Sequence, residues 1–546
     1  MLQKDFLADR NFQLGCLVVI GLCSFFINNG FIGPSIMEAR NFVTAREILE
    51  SKDWLVPTMN GYPRLAKPPL PTWITAFVGL VGNLENEVLL RLPAAFISVL
   101  MMLFIYKLAK VLSEDDPYIP FLSAAVLGTS LYVVFMGRQG TWDIYCHSFM
   151  LGAIWLWAKA WRQEKVPYGL YAWSGILLGC AFLSKGPIPF YALLLPFLIS
   201  YGWGYGWREM LKQWKGILVS LFICLIISGA WPLYIYLIEP EALAFNVKTE
   251  ATSWVNRHVR PFWHYSSFPV QSGIWAFLII AALIVPYAKK RIQSYGNYKF
   301  LAGWVILTLI LLSIPPEKKE RYLLPMLIPI ALLVAYYLRY LLQVFKDQAP
   351  SKWDTIIVKG NTIFFIFVSI AAPIFFWIRG LATGVSTGYL VLFTAAFLGL
   401  GGFMYWHLLK RSLPHIFVSY LIFMCWVSLF FIPLVPHVVY VNQNFRSFKV
   451  LRELPEYQEL DFYQVDVVRP EEIWDLGKKV DTIRVADRQL QLPSDGAFIL
   501  FSADTLSSSE RFDLPNDLKI EILDVIYYSR RKTGRKSVVS KVTRGQ

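Results

Sequence analysis

The chain of 546 residues carries 56% hydrophobic side chains and only 16% charged ones, against about 25% charged residues in soluble domains. This composition excludes an ordinary water-soluble enzyme. Apolar runs near the membrane-spanning length recur from residue 12 to residue 434, which predicts an all-α, polytopic membrane protein. The net charge of +14 fits cytoplasmic loops and anionic lipid better than nucleic acid, so no nucleic-acid partner is expected.

The first apolar run ends in NNGFIGPSIMEAR, which lacks the small-x-small pattern of a signal cleavage site, so we expect a retained helix. Five of the six cysteines lie in apolar runs, and none belongs to a CxxC pair. The cysteines therefore predict neither a disulfide framework nor a zinc site.

Apolar segments predict about thirteen transmembrane helices within residues 1–436. The segment PLPTWITAFVGLVG, from Pro69 to Gly82, is ambiguous: its 14 residues include two prolines, and roughly 20 residues are needed to cross. We expect it to form a short helix that lies at the membrane surface or re-enters it. The candidate spans are 12–32, 91–110, 117–137, 145–161, 169–184, 187–203, 216–238, 270–287, 300–314, 322–344, 361–379, 387–408 and 415–434.

The basic residues set the predicted orientation. With the N-terminus in the cytoplasm and Pro69–Gly82 not spanning, every cytoplasmic loop is basic, as the positive-inside rule requires. Counting Pro69–Gly82 as a span would put the basic loops after residue 100 on the opposite side from the N-terminus. We therefore predict a cytoplasmic N-terminus, a first outer loop over residues 34–90 and an extracytoplasmic C-terminal domain.

Residues 437–546 are richer in charge and contain only short apolar runs. LDFYQVDVV, GAFILFSA and KIEILDVIYYS are typical of strands, and PEEIWDLGKK is typical of a short helix with proline and acids in its first turn. The alternation predicts a small, soluble α/β domain that packs over the outer loops or guides an acceptor. Its basic end, SRRKTGRKSVVSKVTRGQ, is predicted to be a flexible tail.

Charged residues converge on the predicted outer side. Glu38 and Asp143 are candidate bases there, and a larger set of cations could bind an anion. A carboxylate beside several cations suits attack on a phosphate-activated substrate, because it accepts the nucleophile's proton while the cations stabilise the leaving phosphate. For any single residue, the alternative is a charge marking a helix end in water. The candidate cations are Lys67, Arg138, Lys185, Arg257, Arg260, Lys318, Lys319 and Arg321.

Aromatic and histidine residues accompany these charges. Most of the aromatic residues fit an ordinary interfacial belt, and RPFWHY, which contains Trp263 and Tyr265, is the best candidate for contact with a sugar or lipid. His258 and His264 are six residues apart, unlike the i, i+4 spacing of a helical zinc site. Hydrogen-bonding loop residues are therefore the preferred interpretation.

The segment EARNFVTAREILESKDWLVPTMNGYPRLAKPPLPTW resembles the first outer loop of GT-C membrane glycosyltransferases, the family of protein O-mannosyltransferases and the lipid A aminoarabinose transferase. The resemblance continues, in the family's order, in GTWDIYCHSF, LSKGPIPF, NRHVRPFWHY and KKERYLLPMLIP, and covers roughly residues 10–345. It implies a GT-C fold and the use of a polyprenyl-phosphate-linked sugar.

The resemblance also implies roles for single residues. Glu38 matches the family's first-loop acid, proposed as catalytic base or acceptor-orienting group, but many relatives have an acid where this chain has Met37. Asp143 is therefore predicted to share the catalytic work. The phosphate ligands implied are Lys67, Lys185, Arg260, Arg321 and Tyr322, and the substrate or lipid contacts are Arg40, His258, Trp263 and Tyr265.

Relatives often carry a glutamate at the position of Ala66, so where that glutamate helps to hold a divalent metal this chain lacks the ligand. No metal or other cofactor is expected. The leading hypothesis is transfer of a sugar, with inversion, from a polyprenyl-phosphate donor to a lipid, glycan or protein acceptor at the outer face of a bacterial inner membrane. The alternative is a transporter or flippase for a lipid-linked sugar. A transporter usually binds its cargo near the bilayer midplane between repeated helices, and we detect no internal repeat.

Overall fold

The structure is a computed structural model of one chain. A long helical part is followed by a small sheet domain. Residues are described over 6–114, 116–439, 442, 444–453, 455–457, 459–465, 467–483, 485–486, 489–493, 496–503, 518–530 and 532–544.

The helices account for nearly all of the chain up to residue 439. Three of the apolar helices continue as π-helical turns, at Leu22–Phe26, Phe190–Leu194 and Val427–Phe431. The α-helices are α1 (Arg10–Gly21), α2 (Ile36–Ser51), α3 (Leu70–Val81), α4 (Glu87–Leu112), α5 (Ile119–Gly128), α6 (Leu131–Gly137), α7 (Trp142–Ala160), α8 (Tyr168–Lys185), α9 (Leu195–Tyr205), α10 (Trp207–Lys212), α11 (Trp214–Ile238), α12 (Pro240–Asn256), α13 (Phe268–Gln271), α14 (Ala276–Leu283), α15 (Val285–Ile292), α16 (Tyr298–Ser313), α17 (Leu327–Lys346), α18 (Lys352–Ala382), α19 (Thr387–Leu409), α20 (Leu413–Trp426), α21 (Val435–Val439) and α22 (Pro470–Leu476).

Six helices within the described ranges are long and apolar enough to cross a membrane, or up to eight if each of two bent pairs is one span. The multi-pass prediction is therefore confirmed, whereas the count of thirteen is not. The predicted span 117–137 is broken between α5 and α6, which meet at 64°. At this break the hydroxyls of Thr129 and Ser130 donate to the carbonyls of Ala125 and Val126, which satisfies backbone groups at the end of α5.

The first outer loop folds into α2, a two-stranded hairpin of β1 (Thr58–Met59) and β2 (Tyr62–Pro63), and α3. The predicted short helix at Pro69–Gly82 is thus present, and its 12 residues give a length of about 18 Å, too short for a hydrocarbon core of about 30 Å. Asn41 ties the loop together: its amide donates to the Thr75 hydroxyl at 2.9 Å and to the Gly140 carbonyl at 3.1 Å. The short non-helical connection between α6 and α7 is thereby held against α2.

The C-terminal domain contains a five-stranded mixed sheet in the order β4-β3-β7-β9-β8, with α22 between β3 and β4. β3 runs parallel to both β4 and β7, and β9 runs antiparallel to β7 and β8, so the predicted α/β domain is confirmed. The strands of this domain are β3 (Asp461–Val465), β4 (Val480–Ile483), β5 (Val485–Ala486), β6 (Gln489–Leu490), β7 (Ala497–Ser502), β8 (Leu518–Ile526) and β9 (Ser537–Arg544).

The prediction of a flexible basic tail is wrong over residues 537–544. These residues form β9, which lies inside the sheet between β7 and β8. Its Val538, Val539 and Val542 are buried, and Ser540 between them is buried too. The many basic residues of this segment favoured the prediction of a tail, although its valines are part of the buried core.

The C-terminal domain packs on the first outer loop, as predicted. Phe42 of α2 meets Trp474 of α22 with ring centroids 5.2 Å apart, and both rings belong to one hydrophobic core. Asn60 in the hairpin pairs with the backbone of Val480 through bonds of 2.7 and 2.9 Å, as a neighbouring strand would. The loop that carries Glu38 is therefore fixed from two sides, by α3 and by the C-terminal domain.

Candidate active site

Glu38 occupies the third position of α2, where it completes a capping box with Ser35. Its Oε2 accepts the Ser35 backbone N–H at 3.0 Å, while Oε1 accepts Arg91 Nε at 2.7 Å and the Gly140 N–H at 3.2 Å. Glu38 and Arg91 are each 2% exposed. Both carboxylate oxygens are thus engaged in contacts that hold the local backbone.

Asp143, in the first turn of α7, forms a buried ion pair with Lys185 at the C-terminal end of α8. Lys185 Nζ donates to Oδ1, while the described residues donate no hydrogen bond to Oδ2. Asp143 therefore keeps one carboxylate oxygen that accepts no hydrogen bond from the described residues, whereas both oxygens of Glu38 accept one. The catalytic role that the sequence predicts for the two carboxylates stays a prediction.

Six cations, each within electrostatic range of at least one other, form what we call the cationic cluster. Lys67 Nζ is 3.1 Å from Glu250 Oε2 in α12, and the positive charges of Lys185 and Arg64 act on it electrostatically. Arg64 stacks on Trp142, with Cζ 4.8 Å from the ring centroid. The members are Arg40, Arg64, Lys67, Lys185, Arg257 and Arg321.

Burial lowers the pKa values of Lys67, Arg64 and Arg40 from their ordinary values, and neighbouring cations lower them further. The nearby carboxylate of Glu250 raises the pKa of each of these three residues, but not enough to offset the lowering. Guanidinium groups nevertheless stay protonated at neutral pH. The cluster is therefore a partly desolvated region of positive potential, which an anion would stabilise.

Tyr322 connects the cluster to an apolar cavity. Its ring centroid is 4.9 Å from Lys185 Nζ and 5.7 Å from Arg321 Cζ. A cavity of about 350 Å³ opens beside these residues, a size typical of ligand pockets. The lining is mostly apolar and consists of His147, Lys185, Pro187, Ile188, Tyr191, Ala192, Leu312, Pro315, Glu317, Tyr322 and Pro325.

Four of the predicted contacts do not join the cluster. His258, Arg260 and Trp263 are exposed, and their side chains make no hydrogen bond or ion pair with any described residue. Tyr265 is buried, but its hydroxyl pairs with the backbone of Lys319, donating at 3.2 Å and accepting at 3.1 Å. This tyrosine holds the 315–319 loop, and the substrate contacts predicted in RPFWHY stay predictions.

Sequence reasoning also missed residues. Arg64 and Glu250 belong to the site, and Glu471 brings the C-terminal domain into electrostatic contact with Arg40. The arginine of the motif YPRLAKPP could have been noticed three residues before Lys67, whereas Glu250 and Glu471 are distant in sequence and carried no signal.

A second cavity of about 920 Å³ lies between the helices and the C-terminal domain, and Glu38, Arg91 and Glu471 line it. Across the described residues, no group of three or more His, Cys, Asp and Glu side chains could hold a metal ion. The site as described therefore consists of ion pairs, arginines and an apolar cavity.

A family model described as dolichyl-phosphate-mannose-protein mannosyltransferase matches residues 66–231. Two similar curated proteins are undecaprenyl phosphate-alpha-4-amino-4-deoxy-L-arabinose arabinosyl transferases. The one from Enterobacter sp. (strain 638) is 26% identical over 339 residues, which is 60% of this chain and 58% of that protein. The one from Sodalis glossinidius is 28% identical over 317 residues, which is 55% of this chain and 54% of that protein. The matches thus span less than two thirds of these relatives.

Solved structures extend the likeness to the whole chain. ArnT from Cupriavidus metallidurans bound to undecaprenyl phosphate superposes with a TM-score of 0.68 at 15% identity, covering 97% of each chain. The archaeal oligosaccharyltransferase AglB from Archaeoglobus fulgidus gives a TM-score of 0.51 at 12% identity, covering 86% of this chain and 64% of that one. The resemblance noted in the sequence is confirmed: this chain is a multi-pass membrane protein with the GT-C fold, similar in sequence to the mannosyltransferases and aminoarabinose transferases of that fold.

Proposed function

We propose that this protein transfers a sugar from a polyprenyl-phosphate carrier to an acceptor at the outer face of a bacterial inner membrane. The observation that carries the proposal is the position of Lys185. Its ammonium group pairs with Asp143 and lies over Tyr322 at the mouth of the apolar cavity. One cation thereby joins a candidate base to a place for a lipid phosphate.

The donor half of the site follows from the cavity and the cations beside it. An isoprenoid chain is apolar and suits the cavity lined by Ile188, Ala192 and Leu312. The phosphate would then lie near Lys185 and Lys67, with Arg321 and Tyr322 adjacent. Cations placed there stabilise the charge that develops on the phosphate as the glycosidic bond breaks. Phosphate is a good leaving group, so a separate acid is not needed.

The acceptor half rests on Asp143. Its free oxygen can accept the proton of an acceptor hydroxyl as the oxygen attacks the sugar carbon. One base and one leaving group acting on opposite faces produce a single displacement with inversion. Glu38 is then a positioning residue, because its contacts with Arg91 and Gly140 hold the backbone that leads into α7.

The orientation belongs to the same proposal. A cytoplasmic N-terminus puts the cationic cluster, the first outer loop and the C-terminal domain in the periplasm. The cytoplasmic loops then carry the excess of lysine and arginine. The acceptor, whether a lipid, a glycan or a protein hydroxyl, would then bind from the periplasm.

The competing function is transport of the lipid-linked sugar. It is less well supported, because the unusual charges lie at one end of the helices rather than midway along repeated helices. The structural likeness to ArnT also extends over nearly the whole chain.

The test is a transfer assay with purified protein in lipid nanodiscs. Undecaprenyl-phosphate-linked sugars carrying a radiolabel would be supplied with an extract of cell-envelope lipids and proteins, and free undecaprenyl phosphate would be measured. We expect release of undecaprenyl phosphate together with labelled product. We also expect Asp143→Asn to lose about 10²- to 10⁴-fold in rate while retaining donor binding. An intact glycosidic bond in all donors would favour transport and overturn the proposal.

A further inference from the structure

The apolar cavity beside Tyr322 holds a carboxylate that the proposed reaction does not use. Glu317 lines this cavity and is 8% exposed. Lys319 Nζ donates to its Oε1, whereas Oε2 stays accessible and accepts no hydrogen bond from any residue that the structure describes. A carboxylate taken out of water is stable only when hydrogen-bond donors replace the water. Oε2 therefore lacks a donor that a bound ligand could supply.

Glu317 lies at the mouth of the cavity, near the proposed phosphate site. It follows the C-terminal end of α16, and Lys185 stands at the C-terminal end of α8. The Tyr322 ring connects the two, since its centroid lies 4.9 Å from Lys185 Nζ and 5.6 Å from Lys319 Nζ. Lys185, Glu317 and Tyr322 also line the same cavity. A donor whose phosphate binds Lys185 would therefore place its sugar within reach of the Lys319–Glu317 pair.

Charge determines which part of the donor suits Glu317. The carboxylate repels the donor phosphate, so the sugar is the better partner. Lys319 already balances the carboxylate, and an ammonium group on the sugar would add unpaired positive charge beside Lys185 and Lys319. A neutral hydroxyl donates a hydrogen bond without changing the charge. Because the phosphate is attached to C1, the hydroxyls of a pyranose that lie farthest from it are those at C3 and C4.

Hydrogen bonds fix the backbone around Glu317. Glu317 pairs with Val259 as an isolated antiparallel bridge, and the Lys318 N–H donates to the His258 carbonyl at 3.1 Å. Lys318 Nζ also donates to the Pro315 carbonyl at 2.6 Å, within the same loop. A side chain on a loop supported in this way is preorganised, so it can discriminate between ligands instead of adapting to each of them.

We propose that Glu317 is a specificity-determining residue for the donor sugar, and that its Oε2 accepts a hydrogen bond from a neutral hydroxyl at C3 or C4. This inference rests on the proposed transferase function and narrows its donor to a sugar with that hydroxyl. A site built around such an acceptor rejects an analogue without the hydroxyl, since the carboxylate oxygen then stays unpaired. The alternative is that Glu317 serves only as the counterion of Lys319, which predicts no such discrimination.

The first experiment changes the sugar and leaves the protein intact. Radiolabelled undecaprenyl phosphate bound to the protein in nanodiscs would be displaced by undecaprenyl-phosphate-linked glucose, galactose, mannose and arabinose. The 2-deoxy, 3-deoxy, 4-deoxy and 4-amino-4-deoxy forms of the tightest donor would then be compared with their parent. We expect the 3-deoxy or the 4-deoxy donor to bind at least about tenfold more weakly than the parent. The inference is overturned if both bind as tightly as the parent, or if the amino donor binds more tightly.

The second experiment asks whether Glu317 causes the discrimination. The affinity ratio of parent to deoxy donor should fall to about one in Glu317→Leu and stay intermediate in Glu317→Gln, whose amide oxygen still accepts, while the ratio for the 2-deoxy donor is unchanged. Glu320→Gln is the matched control and should keep the full ratio, because the Glu320 carboxylate accepts the Gln271 amide outside the lining of the cavity.

Two results in the variants would overturn the inference. One is a ratio that persists in Glu317→Leu, and the other is an equal loss of affinity for every ligand, undecaprenyl phosphate included, which assigns Glu317 a structural role. Failure of undecaprenyl phosphate to bind the wild-type protein would overturn the proposed function instead.

Discussion

Lys185 and Asp143 form an ion pair that is almost completely removed from solvent, with Lys185 at 6% and Asp143 at 1% exposure. Each residue ends or begins a helix, so the pair locks the C-terminal end of α8 to the first turn of α7. The Tyr322 ring covers the ammonium group on another side, 4.9 Å from Nζ. In the proposed reaction, the base Asp143 and the phosphate of the donor therefore both contact the ammonium group of Lys185.

Replacement of Lys185 should therefore affect donor binding and catalysis together. We expect Lys185→Gln to weaken binding of undecaprenyl phosphate and to lower the transfer rate by about 10²- to 10³-fold, since a cation at the leaving group is lost. The measurement is a comparison of Kd and single-turnover rate with wild type. Lys159→Gln serves as the control, because Lys159 is an exposed lysine in the last turn of α7, at the other end of the helix from Asp143. If Lys185→Gln binds the donor as tightly as the wild type does, the donor phosphate does not bind at Lys185.

Asp143 and Lys185 were both predicted from sequence, because the motifs GTWDIYCHSF and LSKGPIPF place a charge at the end of an apolar run. Their pairing was not predictable, since it depends on how α7 packs on α8. The strand β9 was missed for a different reason: its buried valines alternate imperfectly and are surrounded by lysine and arginine. The sequence places Tyr265 next to charges, which is typical of a substrate contact, and does not predict that its hydroxyl also supports a loop.

Glu38 and Arg91 offer a test of structural against catalytic roles. Breaking a buried ion pair by removing one partner costs about 3–5 kcal/mol, while replacing both partners costs much less. We expect Glu38→Gln and Arg91→Met each to lower the melting temperature in detergent, and the double variant to recover part of the loss. Activity should follow stability across the three variants. A Glu38→Gln protein with wild-type melting and no transfer would instead make Glu38 the base.

The position of β9 predicts that the end of the chain is essential for the C-terminal domain. Val539 is fully buried between β7 and β8, so Val539→Asp buries an unpaired charge and should destabilise the domain by several kcal/mol, roughly the cost of such a group. Limited proteolysis would then cut within residues 461–544 at lower protease concentration. Lys519→Ala, an exposed change on the neighbouring strand β8, should leave the pattern unaltered. If Val539→Asp and the wild type resist the protease equally, the segment is a flexible tail and not a strand of the core.

Glu472 should make the stability of the C-terminal domain depend on pH. Burial raises the pKa of this carboxyl from 4.5 to about 7, against the opposing effect of the Arg469 backbone N–H that donates to it at 3.2 Å. The folded state therefore holds its proton more tightly than the unfolded state. Its contribution to stability is fully present below about pH 4.5 and falls as the pH rises to about 7, by roughly 3 kcal/mol at most.

Glu472→Gln isolates this contribution, because glutamine stays neutral and can still accept the hydrogen bond that caps α22. Melting temperature would be measured between pH 5 and pH 8 for both proteins. We expect the wild type to lose stability across this window relative to Glu472→Gln, and the variant to be the more stable protein at pH 8. The exposed Lys519→Ala protein should follow the wild-type profile. Parallel profiles for wild type and Glu472→Gln would mean that the carboxyl is ionised in the folded domain, with its charge compensated by Arg469.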